Sequence, residues 1–316
     1  MKYALLIQGP MISTGITGRY QGAIREAQPR DIRMYDCTST IIANATAGKI
    51  LFDVVVFSGW DIDKDKVQLF SDTLQLDRVV LSEAPANEKT LKPRNTRLGE
   101  EHSQAKTNNM QRQFKSTLAG LLATQELGAT HVVKIRTDQL VDIPKLFVEL
   151  KLLCESKYSL FVPNQDSIRP WALADFYIGG STNYLVNYFE DLAHPPRNMI
   201  LSQNVHDNLF FTLALKERQN INNLSRRICL VDFFDFNQTH INASRYLWTE
   251  VVHTFSKELY FNTIWRGERV EHSAERLKFG RNVLIPSVLQ RKKKPRRLRI
   301  YGNLHWLKFF LHLSGR

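Results

Sequence analysis

One nine-residue stretch constrains this chain more than any other. Residues 131–139 read His-Val-Val-Lys-Ile-Arg-Thr-Asp-Gln. A β-branched, apolar run stops abruptly in charged and polar side chains. Its length and branching predict a buried strand. The polar cluster at its end would then emerge at the carboxyl edge of a sheet, where open α/β sheets bind ligands.

The rest of the chain alternates in kind. Short apolar runs predict strands at Tyr3–Ile7, Leu51–Phe57, Arg78–Ser82, Leu160–Pro163 and Asp175–Ile178. Between them, Met110, Phe114, Leu118, Leu121 and Leu122 fall at helical spacing and predict a helix over Asn108–Leu127. Thr107 is placed to cap it and Gly128 to end it. Further helices are predicted over 181–192 and over Ser202–Lys216. Alternating strands and helices predict a mostly parallel central sheet with helices on both faces. No internal repeat and no low-complexity linker interrupts the chain before residue 285.

This order predicts a meeting place. In a parallel sheet each helix starts at the carboxyl edge of the strand before it. The loop Gln8-Gly9-Pro10, the helix start with Asn108, Asn109 and Arg112, and the motif Arg136-Thr137-Asp138-Gln139 would all lie on one edge. Gly9 allows close backbone approach to a ligand; a tight turn is the competing explanation. Gly9, Gly15 and Gly18 do not have dinucleotide-fingerprint spacing, and no Walker lysine loop is present. Arg136 can pair with phosphate, and Asp138 can hold a divalent ion that bridges diphosphate oxygens. The competing explanation there is a strand-end salt bridge, which the convergence of Asn109 and Arg112 disfavours.

An enzyme that transfers a group to a hydroxyl acceptor needs a base, commonly a carboxylate, to deprotonate it. Asp207 is the first candidate, in the first turn of a predicted helix, although helix-dipole placement also explains an acid there. Asp175 and Glu250 are the other candidates. His206, His253 and His272 are possible ligands only in a cluster. Asp232, Asp235 and His240 border an aromatic stretch that reads as core.

Three cysteines, Cys37, Cys154 and Cys229, are widely spaced with no CxxC or Cys/His cluster, which argues against structural zinc and suggests a reducing compartment. The apolar start is too short for a signal peptide or a membrane span. The net charge of +12 is local: residues 286–316 hold nine Lys/Arg and no acid, leaving 34 basic against 31 acidic residues elsewhere. Two regions follow, a catalytic domain over 1–285 and a basic-aromatic tail over 286–316. In the tail, Arg291–Arg299 precedes Tyr301, Trp306, Phe309 and Phe310, a pattern suited to an anionic membrane surface. The near-neutral body argues against a nucleic-acid partner.

Gln8-Gly9-Pro10, Asn109 with Arg112-Gln113, Gly120-Leu121, Lys134–Gln139 and Asp175-Phe176-Tyr177-Ile178-Gly179-Gly180 together resemble the WavE-type lipopolysaccharide synthesis family. The resemblance covers residues 1 to about 190. It implies a nucleotide-sugar glycosyltransferase of the A-type, Rossmann-like fold. It implies action on surface polysaccharide, with a lipid-linked or oligosaccharide acceptor, while the basic-aromatic tail is what suggests a place on the inner face of the cytoplasmic membrane. It also sets Asp138 where the family's usual metal-binding Asp-x-Asp stands. Arg136 replaces the first Asp, so manganese or magnesium dependence and metal independence are both open. A nucleotidyltransferase of polysaccharide synthesis is the alternative enzyme. It would usually carry a Gly-rich, basic loop after the first strand, where only Arg19 stands. A non-enzymatic anion- or nucleic-acid-binding protein with a basic arm is the remaining reading.

Overall fold

The computed structural model describes residues 1–16, 32–83, 109–164, 173–194, 205–220 and 246–269. Strands β1 (Tyr3–Gln8), β4 (Val54–Trp60), β5 (Arg78–Ser82), β6 (His131–Arg136), β8 (Leu160–Val162), β9 (Tyr177–Ser181) and β10 (Val252–Thr254) form one seven-stranded sheet in the order β10-β8-β9-β6-β1-β4-β5. All neighbours pair parallel except β9, which runs against both β6 and β8. A hairpin of β2 (Ile12–Ile16) and β3 (Ile32–Asp36) follows β1. A small sheet joins β7 (Gln139–Leu140), β11 (Ile264–Trp265) and β12 (Glu268–Arg269).

Strand alternation builds a separate core on each face. Ala4 and Leu6 of β1, Val54 and Val56 of β4, and Val132 of β6 face one side. There they meet Phe114, Leu118 and Leu121 of α3 (Asn109–Glu126), with α5 (Thr182–Ala193) and α6 (Val205–Lys216) behind. Leu5, Ile7, Val55, Phe57, Val133 and Ile135 face the other side, against α1 (Thr38–Leu51), α2 (Lys64–Leu74), α4 (Ile143–Cys154) and α7 (Lys257–Asn262). Burying each such aliphatic side chain contributes about 1.5–3 kcal/mol. The mostly parallel sheet with helices on both faces is thus the architecture the sequence predicts.

Several expectations need correction. The second strand starts at Val54 rather than Leu51, because Leu51 ends α1 and the Phe52 amide bonds back to Gly48. The strand expected over Asp175–Ile178 runs Tyr177–Ser181, and Gly179 and Gly180 lie inside it. A Cβ on Gly180 would sit 2.5 Å from the Ser159 carbonyl oxygen, so glycine lets β8 approach. Leu122 of α3 points outward rather than into the core. Gly128 does end α3, with φ +77° and its amide on the Gln125 carbonyl. The expected boundary at residue 285, the tail, Thr107, Asn108, Cys229, Asp232, Asp235, His240 and His272 lie outside the described residues.

Candidate active site

Strand order locates the site. From β1 the chain moves outward to β4 and β5, and α3 then carries it back to β6 on the other side of β1. The connections leaving β1 and β6 therefore diverge, which opens a crevice at their carboxyl ends. A cleft of about 260 Å³ lies there. Gln8, Gly9 and Pro10 line it from the end of β1, Trp60 from the end of β4, and Asp63 from just beyond it. Arg112 and Gln113 come from the first turn of α3, and Arg136, Thr137 and Asp138 from the end of β6. Arg266, from the β11–β12 turn, completes the wall.

The floor is fastened by backbone contacts. The Gly9 amide donates to the Ser58 carbonyl at 3.0 Å, and the Thr137 amide donates to the Gln8 carbonyl at 3.0 Å. Thr137 Oγ1 donates to the Pro10 carbonyl at 2.8 Å. Gly9 has φ +142°, and a Cβ there would sit 2.5 Å from Thr137 Oγ1. Glycine is required for this approach, so the loop is more than a generic turn. Gln8 Nε2 donates to Ser116 Oγ of α3 at 2.7 Å, which holds Gln8 in place.

Above the floor runs a buried ionic chain. Arg136 gives Nε to Asp138 Oδ1 and one Nη to Asp138 Oδ2, both at 3.0 Å. Its other Nη donates to Asp175 Oδ2 at 2.8 Å. Asp138 Oδ2 also accepts from Ser13 Oγ at 2.9 Å, and from Trp265 Nε1 and Arg266 Nε at 3.0 Å each. Asp175 Oδ2 accepts from Gln113 Nε2 at 2.9 Å, and the Asp175 carbonyl accepts from Lys134 Nζ at 3.0 Å. Burial opposes ionisation of both carboxyls. Arg136 overcomes it, aided by Arg266 and Trp265 at Asp138 and by His206 and Lys134 at Asp175. Both carboxyls stay well below the usual carboxylate range. Burial pulls the Lys134 ammonium down to about 8, against the attraction of Asp175. Burial also pushes the Cys37 thiol up to about 12, and the nearby Asp138 charge adds to that rise.

The antiparallel β9 explains why Asp175 belongs here. Its amino end reaches the same edge as the carboxyl end of β6. The start of α6 closes on the same point. His206 Nδ1 lies 2.7 Å from the Leu173 carbonyl, so it must be the donor there, and Nε2 lies 3.8 Å from Asp175 Oδ1.

Gln8, Gly9, Pro10, Arg112, Arg136 and Asp138 therefore come together as the sequence predicts, and Asp175, expected only as a candidate base, joins them through Arg136. Arg112 differs from its neighbours: among the described residues its guanidinium has no ion pair or hydrogen bond, and it faces the cleft. The side chains of Asn109 and Asp207 lie outside the described residues, although their backbones open α3 and α6. Gln139 does not reach the cleft. It is sealed beneath it, its carbonyl accepts from Asn44 Nδ2 at 2.6 Å, and its Nε2 finds no acceptor. Glu250 is also placed elsewhere. It precedes β10, at the opposite edge of the sheet, and pairs with exposed Lys157 at 2.8 Å. His253 is exposed and packs its ring on Tyr158.

Asp63, Trp265 and Arg266 are site residues that the sequence reading missed, while Ser13 lies on the loop expected after β1 and gives its hydroxyl to Asp138. Asp63 Oδ2 accepts from the Met11 amide at 3.0 Å and so ties the β4 edge to the loop after β1. An Asp-Ile-Asp run directly after a strand was a readable sign of it. Trp265 and Arg266 are separated from Asp138 by 127 and 128 positions. Their one local signal is the Arg266-Gly267 turn.

No protein-family model matches the sequence, and no curated protein matches it. Solved structures similar to it include a nucleoside-diphosphate-sugar pyrophosphorylase from Vibrio cholerae, at 10% identity and TM-score 0.39, over 88% of this chain and 99% of that one. A cytidylyltransferase from Leptospira borgpetersenii is similar at 15% identity and TM-score 0.34, over 61% of this chain and 68% of that one. Mouse xyloside xylosyltransferase 1 is similar at 10% identity and TM-score 0.31, over 68% and 82%. These values supply no residue-by-residue correspondence.

Proposed function

We propose that this chain is a glycosyltransferase that takes a nucleotide-sugar donor, with the donor diphosphate in the cleft between β1 and β6. One observation carries the reading. The crevice at the strand-order reversal contains an arginine, Arg112, with no anion partner among the described residues. Guanidinium pairs two-pronged with phosphate. Arg136 lines the same cleft with 22% of its side chain exposed, and two of its five N–H groups remain beyond those it gives to Asp138 and Asp175. The WavE-type resemblance supports a lipopolysaccharide, capsule or other surface-glycan acceptor, lipid-linked or oligosaccharide. The tail supports peripheral attachment at the inner face of the cytoplasmic membrane. Among the described residues no helix is long and apolar enough to cross a membrane.

For the general base the proposal is Asp207. Its backbone lies in the first turn of α6, beside His206 and the end of the cleft network. Asp175 is a poorer base, because both Arg136 and Gln113 occupy its Oδ2. The test is a thermal-shift screen of wild type and Arg112→Ala against a nucleotide-sugar panel. A bound donor stabilises the native state by mass action. At least one donor should raise the wild-type melting temperature, and Arg112→Ala should abolish the rise while melting normally without ligand. No response to nucleotide sugars, with pyrophosphate released from a nucleoside triphosphate and a sugar phosphate, would replace this reading by nucleotidyl transfer.

A further inference from the structure

The resemblance makes Asp138 the metal ligand of the donor site, and the surroundings of Asp138 do not fit a metal. A carboxylate offers about four lone-pair positions. Asp138 accepts five side-chain hydrogen bonds, one at Oδ1 and four at Oδ2, from Arg136, Ser13, Trp265 and Arg266. Two of these partners are guanidinium groups that reach within 3.0 Å of it. A dication would have to displace N–H donors and settle against two fixed positive charges. Only 2% of the Asp138 side chain is exposed, which leaves no open face for coordinated water. Asp63 is the other acidic residue lining the cleft, with Asp61 two positions before it. Asp61 Oδ1 accepts from the Ile62 amide, and Asp63 Oδ2 from the Met11 amide. Among the described residues no group of three His, Cys, Asp or Glu side chains converges to hold an ion.

We infer that Asp138 is a positioning residue that fixes Arg136, Arg266 and Trp265 around the cleft, and that the cleft takes a nucleoside diphosphate without a divalent cation. This rests on the nucleotide-sugar reading above. Arginine then stands where the resemblance places metal. Arg112 meets the diphosphate from α3, and Arg136 from the end of β6. The β11–β12 hairpin is part of the same device. The Asp138 carbonyl accepts from the Arg266 amide at 2.9 Å, and the Asp138 carboxylate holds the Trp265 and Arg266 side chains. One residue therefore anchors a distant segment to the cleft wall through both backbone and side chain.

Two measurements on the full chain test this. The first is calorimetric binding of uridine, guanosine and cytidine diphosphates in excess EDTA and in excess manganese. The second is the electron-spin-resonance signal of free manganese titrated with protein alone. The expected result is a diphosphate whose Kd agrees within about twofold in the two buffers, and a manganese signal that the protein leaves undiminished. Arg112→Ala should weaken that binding about tenfold or more, as loss of a charge-assisted pair. Asp138→Asn should weaken it equally in EDTA and manganese, whereas a metal ligand would show its loss only with manganese. If Asp138→Asn does not fold, Trp265→Phe removes one donor, keeps the carboxylate, and should give the same metal-blind weakening. A tenfold loss of affinity on chelation, or manganese uptake by the protein, overturns the inference. Binding of no diphosphate in either buffer overturns the nucleotide-sugar reading instead, and the manganese signal still decides the role of Asp138.

Discussion

Asp138 shows how one residue's partners set a property that can be measured. Its folded carboxyl lies well below the ordinary value of 3.8, as does that of Asp175. A carboxyl depressed on folding stabilises the native state above its unfolded pKa, and that contribution is lost as pH falls below it. Wild-type stability should therefore hold down to about pH 4 and drop steeply below. Asp138→Asn leaves Arg136 and Arg266 facing an uncharged amide, which should cost about 3–5 kcal/mol near neutral pH. Its acid drop should be shallower, because of the two buried cleft carboxyls only Asp175 then titrates. Denaturant melts from about pH 7 to about pH 2 check both parts, and parallel acid limbs would show that Asp138 does not carry the effect. The position of Asp138 in the site was readable, because an apolar run delivers it to a known edge. Its partners were not: Trp265 and Arg266 reach it across more than a hundred residues, which no local pattern encodes.

Elements were legible where burial and periodicity agree. β1, β5, β6 and α3 appear within a residue or two of their predicted ends. α1 escaped the reading because it opens Thr-Ser-Thr-Ile-Ile, residues of modest helix propensity. Burial of Thr40, Ile41, Asn44, Ala45 and Gly48 against the sheet holds it helical. Asn44 adds a tertiary tie, giving Nδ2 to the Gln139 carbonyl and accepting from the Val141 amide. The β11–β12 hairpin is too short for any period. It depends on a two-residue turn, Arg266 at φ 50° and Gly267 at φ 80°, both in the left-handed region that such a turn requires. Gly267→Val places a branched side chain where the left-handed conformation costs about 1–2 kcal/mol. Hydrogen exchange of the 264–269 amides should accelerate, while β1 and β6 stay protected. Unchanged exchange in the hairpin would mean that Asp138, rather than the turn, holds it in register.

At the scale of the whole molecule, charge is distributed as unevenly as apolarity. The sheet carries one core on each face, and the buried cleft carboxylates Asp138 and Asp175 are paired with arginines. The surplus sits in the last thirty residues, where seven basic side chains fall between 291 and 299 and no acid follows. Each basic residue near an anionic bilayer contributes about 1 kcal/mol. Trp306, Phe309 and Phe310 follow at a spacing that suits insertion at the interface. An enzyme whose acceptor is lipid-linked gains from such an arm, since docking brings the cleft to a substrate confined to two dimensions. The full chain should sediment with anionic vesicles and not with neutral ones. Raising salt should release it, because exposed charges are screened beyond about 10 Å at 0.1 M ionic strength. Deleting 286–316 should abolish sedimentation and leave the thermal response to nucleotide sugars intact, since no residue of the cleft is removed. Equal binding to both vesicle types, or loss of the donor response together with the tail, would show that this segment does not act as a membrane arm.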